Sequence, residues 1–225
     1  MTNDSYNFGD RLGDQCLALT ANFLPNAQSA KLKASFQLRD AVLGAASTSA
    51  EASVCLTQLA WWQDELKRMV DGHARHPASK NFALHCGHGT STEPLTAEWI
   101  VLARRLIQNA AVSDADDFAI QAFRAYGVAI RLATGLDETA TSESVRAGLL
   151  LAICNDWQNA ISETDIIESV AHFAGDNSLQ ASAQPSLDRL NDLLTRVLNR
   201  VTQQNKPPSA LYLLWNAWKS ARRHS

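Results

Sequence analysis

Residues 55–69 read CLTQLAWWQDELKRM, and this stretch decides the fold class. Its apolar side chains recur at alternating steps of four and three residues: Cys55, Leu59, Trp62, Leu66 and Met69. That spacing places them on one stripe of an α-helix. Lys67 and Arg68 lie near its end and Gly72 follows it, as is typical of the C-terminal end of a helix. The stretch therefore predicts an amphipathic helix with one buried face.

The same periodicity continues along the chain. It predicts further helices over residues 12–23, 32–43, 95–106, 113–133, 142–161, 162–174, 187–201 and 209–218. In the last of these, Leu211, Leu214 and Trp218 are expected to face inward. Residues 72–93 and 175–186 are expected to be loops. No strand or hairpin pattern interrupts the series. The sequence predicts an all-α protein of about eight or nine helices, folded as a single domain over residues 1–225.

Composition excludes several functional classes. The chain has 225 residues, with 20 Lys and Arg against 23 Asp and Glu, so binding to nucleic acid through an excess of positive charge is not expected. Four scattered cysteines favour reduced, mostly buried thiols. The first residues are polar, and the longest apolar run, residues 147–154, is far shorter than the roughly 20 residues of a membrane-spanning helix. We expect a cytoplasmic protein.

Four side chains near the predicted apolar stripes are candidates for chemistry. Asp156 falls on the stripe of helix 142–161, where a carboxylate must pair, bind a cation or open onto a cavity, unless it lies half-exposed at the helix edge. Arg131 lies among apolar residues and would meet a carboxylate, meet a phosphate or extend to water. Trp61 would pack on a neighbouring helix or line a cavity. Glu65 is either a ligand or, more commonly for a helical acid, exposed.

Histidines are concentrated in the predicted loop. His73, His76, His85 and His88, with Cys86, lie within sixteen residues and would be able to hold zinc. Their spacing matches no standard zinc motif, so a solvated loop is the favoured interpretation. The chain also lacks the glycine-rich phosphate-binding loops and the serine-hydrolase motif.

Several strings resemble the squalene/phytoene synthase family, particularly its divergent bacterial members. LAWWQDEL at residues 59–66, followed by Gly72 and His76-Pro77, resembles that family's Leu-x-Trp-Trp-x-x-Glu-Leu…Gly…His-Pro segment. AYGVA at 125–129 is similar to its Tyr-x-x-Val-Ala-Gly helix, and CNDW at 154–157 stands where the family has Leu-Arg-Asp-Val. The order and approximate spacing hold over most of the chain.

The resemblance implies an isoprenoid-synthase-type helical bundle around a central cavity. Active members join two prenyl diphosphates head to head. Two Asp-x-x-x-Asp motifs hold Mg²⁺, which neutralises the leaving diphosphate, while a dry cavity protects the carbocation. On this basis Tyr126, Arg131 and Trp61 are expected to contact a prenyl diphosphate or another isoprenoid lipid, and Asp156 is expected to contact Mg²⁺.

The chain departs from the family at both acidic motifs. Residues 40–51, DAVLGAASTSAE, contain no acid pair four residues apart. At the second motif, Asp156 remains but residue 160 is alanine. Because one lost electrostatic donor typically costs about 10²–10³ in rate, ordinary synthase turnover is not expected.

Three functions therefore stay open. The first is a family member that binds a prenyl chain or prenyl diphosphate without fast condensation, or that serves as an assembly or regulatory partner. The second is an active prenyltransferase with displaced metal ligands, for example Asp40, Glu51, Glu65 and Asp156. The third is a helical interaction protein with no ligand cavity; the resemblance also implies a precedent for an assembly role, because a mitochondrial complex I assembly factor belongs to the same family. Trp215, Trp218 and the basic residues 222–223 leave contact with a membrane surface open, as well as a protein partner.

Overall fold

A computed structural model describes residue 9 and residues 11–87, 89–110, 115–134, 138–155, 185–204 and 208–223. Within these ranges the chain forms nine helices and no strand. The first five helices are α1 (Leu12–Asn22), α2 (Asn26–Gly44), α3 (Ala52–Val70), α4 (Pro77–Cys86) and α5 (Glu93–Ile107). A 3₁₀ turn, Thr90–Thr92, precedes α5. Helix α6 runs through three segments: Ala115–Ala122, a π-helical turn Phe123–Gly127, and Val128–Thr134. The last three are α7 (Glu138–Asn155), α8 (Pro185–Gln204) and α9 (Ala210–Arg223).

The all-α prediction is confirmed for the described residues. All five apolar residues of the 55–69 stripe are buried in α3, as their spacing predicts. Helix α2 begins at Asn26, six residues before the predicted start. The predicted helix 162–174 and the end of helix 142–161 lie outside the described residues. The four cysteines are unpaired, and all but Cys86 are buried, which confirms the expectation for the thiols.

Helix α7 lies at the centre of the bundle and contacts α1, α6 and α8. Its residues Leu149, Leu150 and Leu151 are all buried, so it carries apolar side chains on more than one face. A helix with that pattern is stable only when neighbours surround it. Helix α2 packs against α4, α5 and the last segment of α6, while α3 packs against α4 and α5.

Two glycines set how closely α7 approaches its neighbours. A Cβ atom at Gly148 would lie 2.8 Å from the backbone nitrogen of Gly127 and 3.1 Å from the carbonyl oxygen of Ala122. At Gly13 of α1, a Cβ atom would lie 2.8 Å from the carbonyl oxygen of Leu151. These distances are shorter than real Cβ contacts, so the approach requires glycine at both positions.

The prediction of a loop over residues 72–93 is wrong, because α4 occupies its middle. His76 caps this helix: its Nδ1 atom accepts a hydrogen bond of 3.1 Å from the backbone N–H of Ala78. Pro77 stands in the first turn, where its missing N–H costs nothing. Burial of Phe82 anchors the helix to the core. Ala78 is buried as well, but two buried apolar residues are too few for a periodicity argument to detect.

The predicted inward face of the last helix is also wrong. Leu211 is 79% exposed, and Leu214 and Trp218 are exposed as well. The residues that face inward are Leu213, Asn216, Ala217 and Ser220. The hydroxyl of Ser220 donates a hydrogen bond of 2.8 Å to the carbonyl oxygen of Arg189 in α8. Small and polar residues allow α9 to lie close to α8, so the bulkier apolar stripe faces outward.

Replacing Gly148 with alanine tests the close contact between α7 and α6. We expect Gly148→Ala to lower the free energy of unfolding by about 1–3 kcal/mol, because backbone atoms of the π-helical turn must move. Gly44→Ala is the control: nothing lies within 4 Å of its Cβ position, so a neutral or slightly stabilising effect is expected. Urea unfolding measures both, and equal effects would show that the two helices separate without cost.

Candidate functional site

A polar network extends from the surface into the interior where α1, α2, α6 and α7 meet. Its members come from the four helices or stand directly before α1, and we call it the Asp14–Asn155 network: Arg11, Asp14, Arg39, Asp40, Tyr126 and Asn155. Tyr126 lies in the π-helical turn of α6, a feature that occurs frequently at functional sites.

Asn155, the last residue of α7, connects three helices. Its Nδ2 atom donates hydrogen bonds of 3.0 Å to Asp14 Oδ1 and 2.9 Å to the hydroxyl of Tyr126. Its Oδ1 atom accepts a hydrogen bond of 3.1 Å from the backbone N–H of Asp14. Asp14 and Tyr126 are both buried. An amide side chain suits this position because it donates and accepts at once.

Arg11 neutralises the buried carboxylate of Asp14. Its Nε atom donates a hydrogen bond of 3.1 Å to Asp14 Oδ2. Burial lowers the pKa of the Arg11 guanidinium, but nearby Tyr126, Asp14 and Asp40 together raise that pKa by more, so it ends above its ordinary value. The arginine stays charged, and the pair satisfies a carboxylate that would otherwise be costly to bury.

Arg39 organises the other half of the network. It is buried, and its Nε atom donates a hydrogen bond of 2.7 Å to Oδ1 of Asp40. Its guanidinium carbon lies 4.4 Å from the ring centroid of Phe36 and 5.0 Å from that of Tyr126. Its Nη1 atom donates to the carbonyl oxygen of Ala125 in the π-helical turn. Arg39 therefore holds α2 to the turn through charge, hydrogen bonds and ring contacts.

Arg131 stands five residues after Tyr126 on α6. The side chain is half-buried, and its Nε atom is sealed from water. Among the described residues, this Nε has no hydrogen-bond partner. The three interpretations that the sequence left open, contact with a carboxylate, contact with a phosphate and extension into water, all stay open, because Nε is buried while the residue as a whole is only half-buried.

Trp61 lies on the outer side of α3 and is 44% exposed. Its ring meets the ring of Trp62 edge-on, with centroids 5.2 Å apart, and the ring of His76, with centroids 6.0 Å apart. The guanidinium of Arg68 lies 5.8 Å from the Trp61 ring centroid. These contacts are local to α3 and the start of α4, and none of those described joins Trp61 to the Asp14–Asn155 network.

Asp156, the predicted metal ligand, lies outside the described residues. The structure describes the residue before it, Asn155, as part of the network with Tyr126. Among the described residues, no group of three or more His, Cys, Asp or Glu side chains is arranged to hold a metal ion. The described acids Asp40, Glu51 and Glu65 therefore do not form a displaced metal site by themselves. Binding of Mg²⁺ through Asp156 stays a prediction.

Glu65 is fully buried, so the expectation of an exposed helical acid is wrong. Its Oε1 atom accepts hydrogen bonds of 2.7 Å from the backbone N–H groups of both Arg75 and His76. Its Oε2 atom accepts a hydrogen bond of 3.0 Å from Nε of Arg68. Burial raises the pKa of the Glu65 carboxyl, but these N–H donors lower that pKa by more, so it ends below its ordinary value of 4.5.

These contacts give Glu65 a structural role. Its carboxylate joins α3 to the chain that enters α4, and His76, one of its donors, caps α4. The motif that places a glutamate before a His-Pro pair is thus explained by the hydrogen bond between Glu65 and the backbone of His76, a contact that stabilises the fold. The sequence pattern did not reveal this role, because the donors are backbone N–H groups of Arg75 and His76, which lie outside α3 and do not enter its apolar spacing.

No known protein family, curated protein or solved structure matches this chain.

Sequence reasoning missed most of the Asp14–Asn155 network. A signal existed for Arg39, which follows Leu32 and Ser35 and precedes Val42 at helical spacing, so that a cation stands on a buried stripe. A similar argument holds for Asp14, which lies close to buried Cys16 and Leu17 in α1. The partnership with Asn155 had no signal, since 141 residues separate it from Asp14.

Glu65→Gln tests the junction between α3 and α4. Removing the charge leaves its donors poorly satisfied, so we expect a loss of about 3 kcal/mol of unfolding free energy at pH 7. Because the folded-state pKa is lowered, this contribution is fully present above the unfolded pKa, near 4.5, and is lost as the pH falls through the folded value.

The difference between the wild-type and Glu65→Gln chains should therefore shrink below about pH 4.5 in urea titrations. Asp64→Asn, at the neighbouring exposed acid, is the matched control and should change stability little. A difference that is the same at pH 7 and pH 3.5 would contradict a role for the ionised carboxylate.

Asn155→Ala tests whether the network holds α1, α6 and α7 together. The substitution removes three hydrogen bonds and leaves the buried Asp14 carboxylate less satisfied, so a loss of about 2–4 kcal/mol is expected. Tyr126→Phe removes one hydrogen bond and should cost about 1 kcal/mol. Thermal unfolding compares them, and the prediction fails if Tyr126→Phe costs as much as Asn155→Ala.

Proposed function

We propose that this chain is a squalene/phytoene-synthase-like protein that binds a prenyl diphosphate or prenyl chain and does not carry out fast condensation. The motif resemblance in residues 59–77, 125–129 and 154–157 supports the proposal. The all-α architecture agrees with it, and the proposed fold is an isoprenoid-synthase-type bundle around a central cavity.

The observation that carries the proposal is the unsatisfied Nε of Arg131. The Nε makes no hydrogen bond within the described part of the fold, so Arg131 is not committed to an internal acceptor there, and its half-buried guanidinium is suited to bind an anion. A guanidinium matches the oxygen atoms of a diphosphate in geometry and charge. Arg131 lies on the same helix as Tyr126, two residues beyond the segment 125–129 that carries part of the family resemblance.

The pairing of the described acids argues against fast turnover. Asp14 is held by Arg11, Asp40 is held by Arg39, and Glu65 accepts hydrogen bonds at both carboxylate oxygens. Mg²⁺ would neutralise a leaving diphosphate, but it enters the proposal only through Asp156, since the described acids do not fit a metal cluster. An active prenyltransferase with displaced ligands at Asp40 and Glu65 is accordingly less favoured.

Calorimetry with farnesyl diphosphate tests binding, with and without Mg²⁺. We expect Arg131→Gln to weaken farnesyl diphosphate about tenfold or more, because one hydrogen bond to a charged group is lost. Binding of farnesol, which lacks the diphosphate, should be unchanged. Arg104→Gln is the matched control, because Arg104 is an exposed arginine on α5. Thermal unfolding of each variant checks that the fold is retained.

A second assay addresses catalysis. Pyrophosphate release from farnesyl or geranylgeranyl diphosphate should not exceed background in the presence of Mg²⁺. Release that depends on Mg²⁺ would show an active prenyltransferase and overturn the proposal. Absence of binding to both farnesyl diphosphate and farnesol would leave a helical interaction protein as the better description.

A further inference from the structure

The outer face of α9 is apolar and aromatic along most of its length. Six residues occur at positions that recur every three or four residues and therefore share one face of the helix: Leu211, Leu214, Trp215, Trp218, Lys219 and Arg222. Leu211 is 79% exposed and Trp215 is 53% exposed. Large apolar side chains at such spacing normally face a core, so a continuous outward stripe of them calls for a partner.

The opposite face of α9 fixes the orientation of this stripe. Leu213 and Ala217 are buried, and the Ser220 hydroxyl binds the carbonyl oxygen of Arg189 in α8. Asn216 is buried too, and its Nδ2 donates to the carbonyl oxygen of Tyr212 one turn earlier. Rotating the helix to bury its tryptophans would remove these contacts, so the stripe stays outward.

Two cations lie directly against the exposed indoles. The rings of Trp215 and Trp218 stack with centroids 5.0 Å apart. Nζ of Lys219 lies 5.1 Å from the ring centroid of Trp215, and the guanidinium carbon of Arg222 lies 4.8 Å from that of Trp218. Indole rings beside lysine and arginine are the typical composition of protein surfaces at the boundary between lipid headgroups and acyl chains.

Charge is segregated to the same part of the chain. Five of the 20 lysines and arginines lie in residues 197–225, and none of the 23 acids does: Arg200, Lys206, Lys219, Arg222 and Arg223. The remainder of the chain is therefore strongly acidic. A cationic C-terminal segment in an anionic protein complements a negatively charged surface and orients the protein on it.

We propose that the outer face of α9 binds a bilayer that contains anionic lipid, with the helix axis parallel to the membrane plane. Among the described residues, no helix is long and apolar enough to cross a membrane, so the contact is at the surface. The stripe from Leu211 to Arg222 is about 17 Å long and roughly 10 Å wide. The area of this stripe is far below the ~800 Å² per partner that a stable dimer buries. A single convex helix face therefore suits a lipid interface better than a second copy of the chain.

Vesicle co-sedimentation of the full chain tests the proposal without any prenyl diphosphate, so its result is independent of the proposed function. We expect binding to vesicles of phosphatidylcholine with 30% phosphatidylglycerol and a blue shift of tryptophan fluorescence. Pure phosphatidylcholine and 0.5 M salt should each weaken binding. Lys219→Gln with Arg222→Gln should weaken it roughly 30-fold, because each cation near an anionic surface contributes about fivefold.

Two leucines provide a matched pair of variants. Leu211 on α9 and Leu84 on α4 are 79% and 77% exposed, so glutamate at either position should leave the fold intact. Leu211→Glu should weaken vesicle binding at least tenfold, and Leu84→Glu should not change it. Absence of wild-type binding at every lipid composition, or equal losses in both variants, would overturn the proposal. So would a wild-type dimer in sedimentation that Leu211→Glu converts to a monomer, which would assign the face to protein.

Discussion

The structure depends on the close approach of α7 to α1 and α6. Gly148 meets the backbone of the π-helical turn at Gly127, and Gly13 meets the backbone of α7, at distances that exclude a Cβ atom. This approach brings the end of α7 beside the start of α1 and the π-helical turn of α6, so that the side chain of Asn155 reaches both Asp14 and Tyr126. Hydrogen bonds of about 3 Å between helices form only when the helix axes are close. The close backbone contacts and the polar network therefore both follow from one packing arrangement.

Burial of charge is the second constraint on this region. The interior around Tyr126 contains Asp14 and Arg39, both buried, and each has an oppositely charged partner closer to the surface. Pairing makes the buried charges tolerable, but it also occupies the carboxylates that a metal-dependent enzyme would need. Arg131, on the same helix as Tyr126, differs from these paired groups, because its buried Nε has no hydrogen-bond partner among the described residues.

Two elements show where hydrophobic periodicity misleads. In α4, the buried face is short and consists of Ala78, Ser79 and Phe82, and the helix begins at a capping histidine whose backbone N–H group binds Glu65. In α9, the stronger apolar stripe faces outward and the weaker face is buried, because Ala217 and Ser220 permit close packing on α8. Periodicity reports that one face is apolar, and it does not say whether the core or another surface covers that face.

The amino-acid sequence by itself determined the all-α class, the position of most helices and the buried stripe of α3, because these follow from local spacing and from the helix period. It also marked Asp156, Arg131 and Trp61 through their positions near apolar stripes, and Tyr126 through a motif resemblance. Only the tertiary structure decided that Glu65 is buried and binds the backbone before α4. The same is true of the hydrogen bonds among Asp14, Tyr126 and Asn155, and of the outward position of the tryptophans on α9. The physical reason is that each of these contacts joins residues on separate helices or separate faces, and their distances are set by how backbones pack rather than by sequence separation.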